Sequence, residues 1–154
     1  MASNFNKDLL DFCDDSVLVV DDYRDCADVL VEVLRFAGIS AHACYSTEAA
    51  LVLAASLKPR VVVMEPTMPG EELDGYRLAG LLRQDRSPQD PLLLVAYTSA
   101  GQPQHQARMA RAGFNAFLLK PSPAPEILAL VQDCLTPSWT ARPEAGQLGV
   151  ARLH

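Results

Sequence analysis

What this chain has little of bounds it first. Cysteine is sparse. Cys13, Cys26, Cys44 and Cys134 form no C-x-x-C pair; His42 lies two residues from Cys44 but His105 stands far from all four in sequence. That spacing offers neither a zinc site nor a disulfide framework, and reads as free, buried thiols in a reducing cytosol. His42 and His105 read as surface residues. No apolar run reaches the roughly 18 residues that a membrane helix needs. The first eight residues, MASNFNKD, lack the basic start and apolar core of a secretory signal. Basic residues are outnumbered, 13 against 19 acidic, for a net charge of -6. That balance argues against a broad nucleic-acid-binding surface. What remains is an ordinary globular composition, 49% hydrophobic and 21% charged over 154 residues. It suits one folded domain with some tail and excludes a wholly disordered chain.

The domain is expected over residues 16–135. Residues 1–15 carry Asp8, Asp11, Asp14 and Asp15 against Lys7 alone, an acidic lead-in. Residues 136–154 hold Pro137, Pro143, Gly146 and Gly149 with little apolar periodicity, and read as a mobile tail containing Trp139. Between them, apolar strands alternate with amphipathic helices. Val17–Val20, Val61–Met64, Leu92–Ala96 and Ala116–Leu119 are short apolar runs suited to buried parallel strands. Ile39–Cys44 alternates as an edge strand does. A helix is predicted over 25–37, with Asp25, Asp28, Glu32 and Arg35 as its wet stripe and Gly38 as its left-handed stop. Ser46 caps a second helix to about Leu57, and a third runs over roughly 74–85. Pro103 opens a weakly apolar fourth helix ending near Gly113. In that helix Ala107, Met109 and Ala110 read as the core stripe, with a modest apolar surface patch as the alternative. Ser122-Pro123 caps a fifth, which buries Ile127, Leu130, Val131, Cys134 and Leu135.

Five strands alternating with five helices predict an α/β domain, a doubly wound parallel sheet with helices on both faces. In such folds function sits beyond the carboxyl ends of the strands. Asp21 and Asp22 come just after the first strand, Glu65 ends the third, Thr98 and Ser99 the fourth, and Lys120 the fifth. Three carboxylates on one rim suit a hard, oxygen-loving cation such as Mg²⁺. Lys120 and Thr98 can direct an ammonium and a hydroxyl at a phosphoryl or carboxylate oxygen there.

These motifs carry a family resemblance. Leu18-Val19-Val20-Asp21-Asp22, Val62-Val63-Met64-Glu65-Pro66-Thr67-Met68-Pro69 with Asp74-Gly75, Tyr97-Thr98-Ser99, Ala112-Gly113 and Phe117-Leu118-Leu119-Lys120-Pro121 resemble the receiver domain of two-component response regulators. The resemblance spans nearly the whole expected domain. It implies a single five-stranded domain of flavodoxin-like strand order 2-1-3-4-5. It implies Mg²⁺ held by Asp21, Asp22, the acceptor position and the Thr67 carbonyl. It also implies Thr98 and Lys120 as phosphoryl contacts, Thr98 and Phe117 as the switch pair, and a cis Lys120-Pro121 bond.

One departure bears on function. Where the family pattern has an acceptor aspartate, this chain has Glu65, and the loop after it is two residues longer than usual. An extra methylene shifts the carboxylate by about 1 Å, and an error of that size costs on the order of a hundredfold in a positioned reaction. Glu65 therefore weakens the Mg²⁺ site and can reach Thr98 or Lys120 without phosphate. The expectation is an atypical, phosphorylation-independent receiver, not an enzyme, that acts in cytoplasmic phosphorelay signalling. A slow phosphoacceptor at Glu65 and a scaffold free of metal and phosphate are the alternatives. A flavodoxin-type binder needs N–H groups for phosphate after the first strand, where this chain has Asp21-Asp22-Tyr23-Arg24. An aspartate-nucleophile phosphatase needs D-x-D there, which is absent. About 19 residues after the last helix are too few for an output domain, so the chain reads as stand-alone. Its expected partners are a sensor histidine kinase or another signalling protein. The resemblance places that contact on the face of the fourth helix, fifth strand and fifth helix, at Gln104–Arg111, Phe117 and the outer side of 124–135. The same face can pair two copies.

Overall fold

The computed structural model describes residues 16–70, 72–86, 92–135 and 149–150. In chain order the elements are β1 (Val17–Val20), α1 (Arg24–Phe36), β2 (Ala41–Cys44), α2 (Thr47–Leu57), β3 (Val61–Met64) and α3 (Gly75–Gln84). They continue with β4 (Leu93–Thr98), α4 (Pro103–Ala112), β5 (Ala116–Leu119), α5 (Ala124–Cys134) and β6 (Gly149–Val150). All strand pairs are parallel, in the order β2-β1-β3-β4-β5-β6. The five principal strands thus stand in the order 2-1-3-4-5.

Period-two alternation divides the core into two layers. Leu18, Val20, Met64, Leu94 and Phe117 face one way and pack with Ala54 of α2, Leu78 and Leu82 of α3 and Met109 of α4. Val17, Val19, Val63 and Val95 face the other way, against Leu30 and Leu34 of α1 and Ile127 and Val131 of α5. Both faces of the sheet are covered, which is why its strands read as unbroken apolar runs rather than alternating ones.

Local signals account for most boundaries. Ser46 Oγ accepts the Ala49 N–H at 3.2 Å and Asp74 Oδ1 the Arg77 N–H at 2.8 Å, capping α2 and α3. Gly38 (φ 83°) and Gly113 (φ 105°) end α1 and α4 in the left-handed region. Lys120-Pro121 is cis.

Several expectations need correction. Ser122 does not cap α5: its Oγ donates to the Leu119 carbonyl at 2.6 Å, and the helix starts at Ala124 behind Pro123. β4 runs on to Thr98. α1 is less fully packed than its composition suggests, because Val29 and Phe36 are exposed. In α4 only Met109 of the expected stripe is buried, while Ala107 is exposed. His42 and His105, expected on the surface, are half-buried. Within the expected tail, Gly149–Val150 adds a short strand beside Ala116 and Phe117. Trp139, Cys13 and the acidic lead-in lie outside the described residues.

Arg83 fastens the end of the molecule opposite the rim. Its guanidinium donates to the carbonyls of Gly113 (3.1 and 3.0 Å) and Leu92 (2.5 Å) and to Asn115 Oδ1. Asn115 Oδ1 in turn accepts the Leu94 N–H at 2.9 Å. One side chain of α3 thereby holds the start of β4 and the turn before β5. Burial lowers the Arg83 pKa, and the nearby Arg86 adds to that shift.

Candidate functional site

Parallel strands put all their carboxyl ends on one rim, and the backbone fixes the residue that leaves each strand there. The Asp21 N–H donates to the Cys44 carbonyl at 3.0 Å and the Glu65 N–H to the Val20 carbonyl at 3.0 Å. The Lys120 N–H donates to the Thr98 carbonyl at 2.9 Å. Asp21, Glu65 and Lys120 are therefore each anchored one step beyond their strand by a ladder-type bond. The long loop after β3 is also held from behind. The Gly75 N–H donates to the Pro66 carbonyl at 3.1 Å, and a Cβ on Gly75 would lie 2.6 Å from Pro66 Cα. Only glycine lets α3 start this close to the residue after Glu65.

Of the rim side chains expected to act together, Asp21, Glu65, Thr98 and Lys120 meet. Thr98 Oγ1 donates to Glu65 Oε1 at 3.0 Å. The same oxygen of Thr98 accepts the Ala100 N–H at 3.1 Å, which leaves the hydroxyl proton for Glu65. The Thr67 N–H donates to Glu65 Oε1 at 3.1 Å. Lys120 Nζ lies 3.2 Å from Glu65 Oε2 and 2.7 Å from Asp21 Oδ2, so one ammonium spans both carboxylates. The Tyr23 N–H completes Asp21 at Oδ1, 3.0 Å away. Asp21 is 3% exposed, Glu65 8% and Thr98 1%. Buried carboxylates are tolerated when they are paired and hydrogen-bonded, and both of these are.

The electrostatics arise from those distances. Burial disfavours the Lys120 ammonium, but the hydrogen bond to Asp21 and the charges of Asp21 and Glu65 outweigh it, so its pKa lies above the ordinary lysine value. Cys26 of α1 is half-buried beside the same group. Burial raises its thiol pKa. Lys120 opposes that shift, and Asp21 adds to it through charge and a hydrogen bond.

Phe117 is 5% exposed and packs in the inner layer with Met109, Phe114 and Ala96. It points into the molecule while Thr98 is drawn to Glu65. Tyr97 lies behind the site. Its hydroxyl accepts the Ser122 N–H at 3.2 Å, and its ring is 5.5 Å from Lys120 Nζ. Tyr97, Ser122 and Cys26 carried no sequence signal of their own as site residues, and only tertiary packing brings them here.

Of the expected cation ligands, Asp21 and Glu65 meet around Lys120. Asp22 is exposed and Thr67 faces Glu65 with its N–H. Asp21 and Glu65 already satisfy Lys120, Thr98 and two main-chain N–H groups. Among the described residues no three His, Cys, Asp or Glu side chains gather as a metal site does. Mg²⁺ needs near-octahedral oxygen ligands at about 2.0–2.1 Å and gives up water reluctantly. The donor set in this arrangement does not fit a resident Mg²⁺. Ser99 at the end of β4 is exposed and makes no contact with Glu65 among the described hydrogen bonds.

Residues 17–132 match the family model of the response regulator receiver domain. A 14.6 kDa protein from the sodA1 3′ region of Leptolyngbya boryana is 32% identical over 120 residues, 77% of this chain and 89% of that protein. The response regulator protein FleR of Pseudomonas aeruginosa is 36% identical over 115 residues. That alignment covers 75% of this chain but only 23% of FleR. The receiver domain of NtrX from Brucella abortus superposes with a TM-score of 0.71 at 24% identity, over 79% of this chain and 99% of that one.

Proposed function

The chain belongs to the response regulator receiver domain family of two-component signalling, and on that footing we propose that it is an atypical receiver that holds its signalling conformation without phosphate. Glu65 stands at the position of the family's acceptor aspartate. Its carboxylate takes the two contacts, from Thr98 and Lys120, that the family reserves for a phosphoryl group.

The observation that carries this reading is the 3.0 Å hydrogen bond from Thr98 Oγ1 to Glu65 Oε1, made while Phe117 is buried. In the family the threonine moves toward the phosphoryl group and the aromatic turns inward behind it. Here the glutamate reaches the threonine by itself. An aspartate would fall short by one C–C bond. The side chain that removes the acceptor geometry is therefore also the one that closes the switch.

The output is contact with another protein, a sensor histidine kinase or a further signalling component. The surface is α4 and α5 with Leu119, which is 48% exposed, in place of Phe117, expected on this face but buried. β6 occupies the hydrogen-bonding edge of β5 at Ala116 and Phe117, so a partner meets helix side chains there and not an open strand edge. The same surface serves a second copy of the chain. We assign no catalytic role to the domain, and place it in the cytoplasm with its kinase.

Intact-protein mass after incubation with Mg²⁺ and a small acyl-phosphate donor tests the reading, with Glu65→Asp run alongside. The wild type is expected to gain nothing and Glu65→Asp to gain one phosphoryl group. A phosphoryl group on the wild type would make Glu65 a working acceptor and overturn the proposal. If neither protein gains one, the chain is a scaffold whose pocket has lost more than one residue.

A further inference from the structure

We infer that Lys120 replaces the divalent cation in this protein: its ammonium is the resident counter-ion of the acidic rim, and the folded chain does not take up Mg²⁺ at millimolar concentration. The inference rests on the reading of Glu65 as a fixed carboxylate, and extends it to the metal on which the family's chemistry depends.

The geometry carries it. A cation at this rim would have to draw on Asp21 and Glu65, the two buried carboxylates. Lys120 Nζ lies 2.7 Å from one and 3.2 Å from the other. An ammonium bridging two carboxylates ties both side chains down and supplies one of the two positive charges that a divalent ion would bring. Both carboxylates hold further donors as well. Glu65 Oε1 takes the Thr98 hydroxyl and the Thr67 N–H, and Asp21 Oδ1 takes the Tyr23 N–H. Asp22, the third carboxylate, is exposed to solvent and not buried with the other two. A Mg²⁺ ion entering here must break the 2.7 Å ion pair, shed part of its own water and compete with the ammonium for Asp21 and Glu65. Glu65 Oε2 stands within reach of the ammonium that also holds Asp21.

The binding is measured directly, without any phosphoryl donor. Mg²⁺ is titrated calorimetrically into the wild type, Glu65→Asp and Lys120→Met, and melting temperatures are recorded with and without about 10 mM Mg²⁺. The wild type is expected to show no saturable heat and no melting shift. Glu65→Asp withdraws one carboxylate from the ammonium, and Lys120→Met removes the ammonium itself. At least one of them is expected to bind, and roughly ten-fold saturation would raise its melting temperature by roughly 4 °C. Glu65→Asp keeps every charge, so it reports even where Lys120→Met fails to fold. Saturable Mg²⁺ binding by the wild type would overturn the inference, as would silence from every folded variant. The proposed function fails by a separate result: a wild type that binds Mg²⁺ yet takes no phosphoryl group refutes the inference alone, and a wild type that is phosphorylated without measurable Mg²⁺ binding refutes the functional reading alone.

Discussion

Glu65 and Thr98 define each other's position, and their bond is the contact most open to a single substitution. Thr98→Val keeps the shape but takes the donor from a carboxylate that is only 8% exposed. A hydrogen bond to a charged group contributes about 1.5–3 kcal/mol. Urea denaturation of Thr98→Val is therefore expected to show a loss of about 2 kcal/mol. A loss indistinguishable from zero would mean that the hydroxyl is not engaged. Cys26 gives a pH-dependent reporter beside the same ammonium. Burial raises its thiol pKa, with Lys120 pulling the other way and Asp21 adding to the rise. A raised pKa leaves less thiolate at any given pH, so alkylation of folded Cys26 should keep accelerating well above the ordinary thiol pKa of about 8.5. The folded state holds that proton more tightly, so the associated stability is present below the unfolded pKa and is lost as pH rises through the folded one. A labelling profile that levels off at the ordinary thiol value would contradict this placement.

Among the elements, the loop from β3 to α3 is the critical piece, because it carries Glu65 at one end and Gly75 at the other. Gly75→Ala would drive a Cβ to 2.6 Å from Pro66 Cα and 2.7 Å from its carbonyl oxygen. These are backbone atoms, so the strain passes to the residue next to Glu65. Overpacking of this kind costs about 1–3 kcal/mol, and the chemical-denaturation midpoint should fall accordingly. The loss of the Thr98 contact should appear in the same variant, and an unperturbed midpoint would mean that the loop is slack. Helix α4 is tied to this region from outside. Arg108 lies 3.9 Å above the Tyr76 ring and 3.5 Å from Asp74, while Tyr76 meets Phe114 edge-on at 6.4 Å. These contacts run from the start of α3 to the helix that the family uses for signalling, although exposed pairs of this kind contribute little to stability.

At the scale of the molecule, the strands and rim residues were legible because both obey local rules. Val61–Met64 is an unbroken apolar run because both faces of the sheet are covered. Glu65, Thr98 and Lys120 stand out because each is polar at the end of such a run. Other features obey no local rule. Arg83 looks like a solvated helix residue, yet it reaches carbonyls and an amide on two other elements, up to 32 positions away in sequence. Asp21 and Asp22 are chemically alike and adjacent, but the chain turns there, burying one and exposing the other. Ser122 has the chemistry of a cap but finds the Leu119 carbonyl first. β6, two residues long, has no periodicity to reveal it. The departure of Glu65 from the family pattern was visible in sequence, but its bond to Thr98 required coordinates.

On the proposed reading that bond sets the state of the whole domain, and nuclear magnetic resonance can read the state in solution. The signals of the Thr98 methyl group and the Phe117 ring would be compared in the wild type, in Glu65→Asp alone, and in Glu65→Asp with Mg²⁺ and beryllofluoride as a phosphoryl mimic. The wild type with nothing added is expected to match Glu65→Asp bearing the mimic, with Thr98 held at the carboxylate and Phe117 inside. A wild-type spectrum that matches Glu65→Asp alone would show that the glutamate leaves the switch open, and the reading of this chain as a phosphate-independent receiver would not stand.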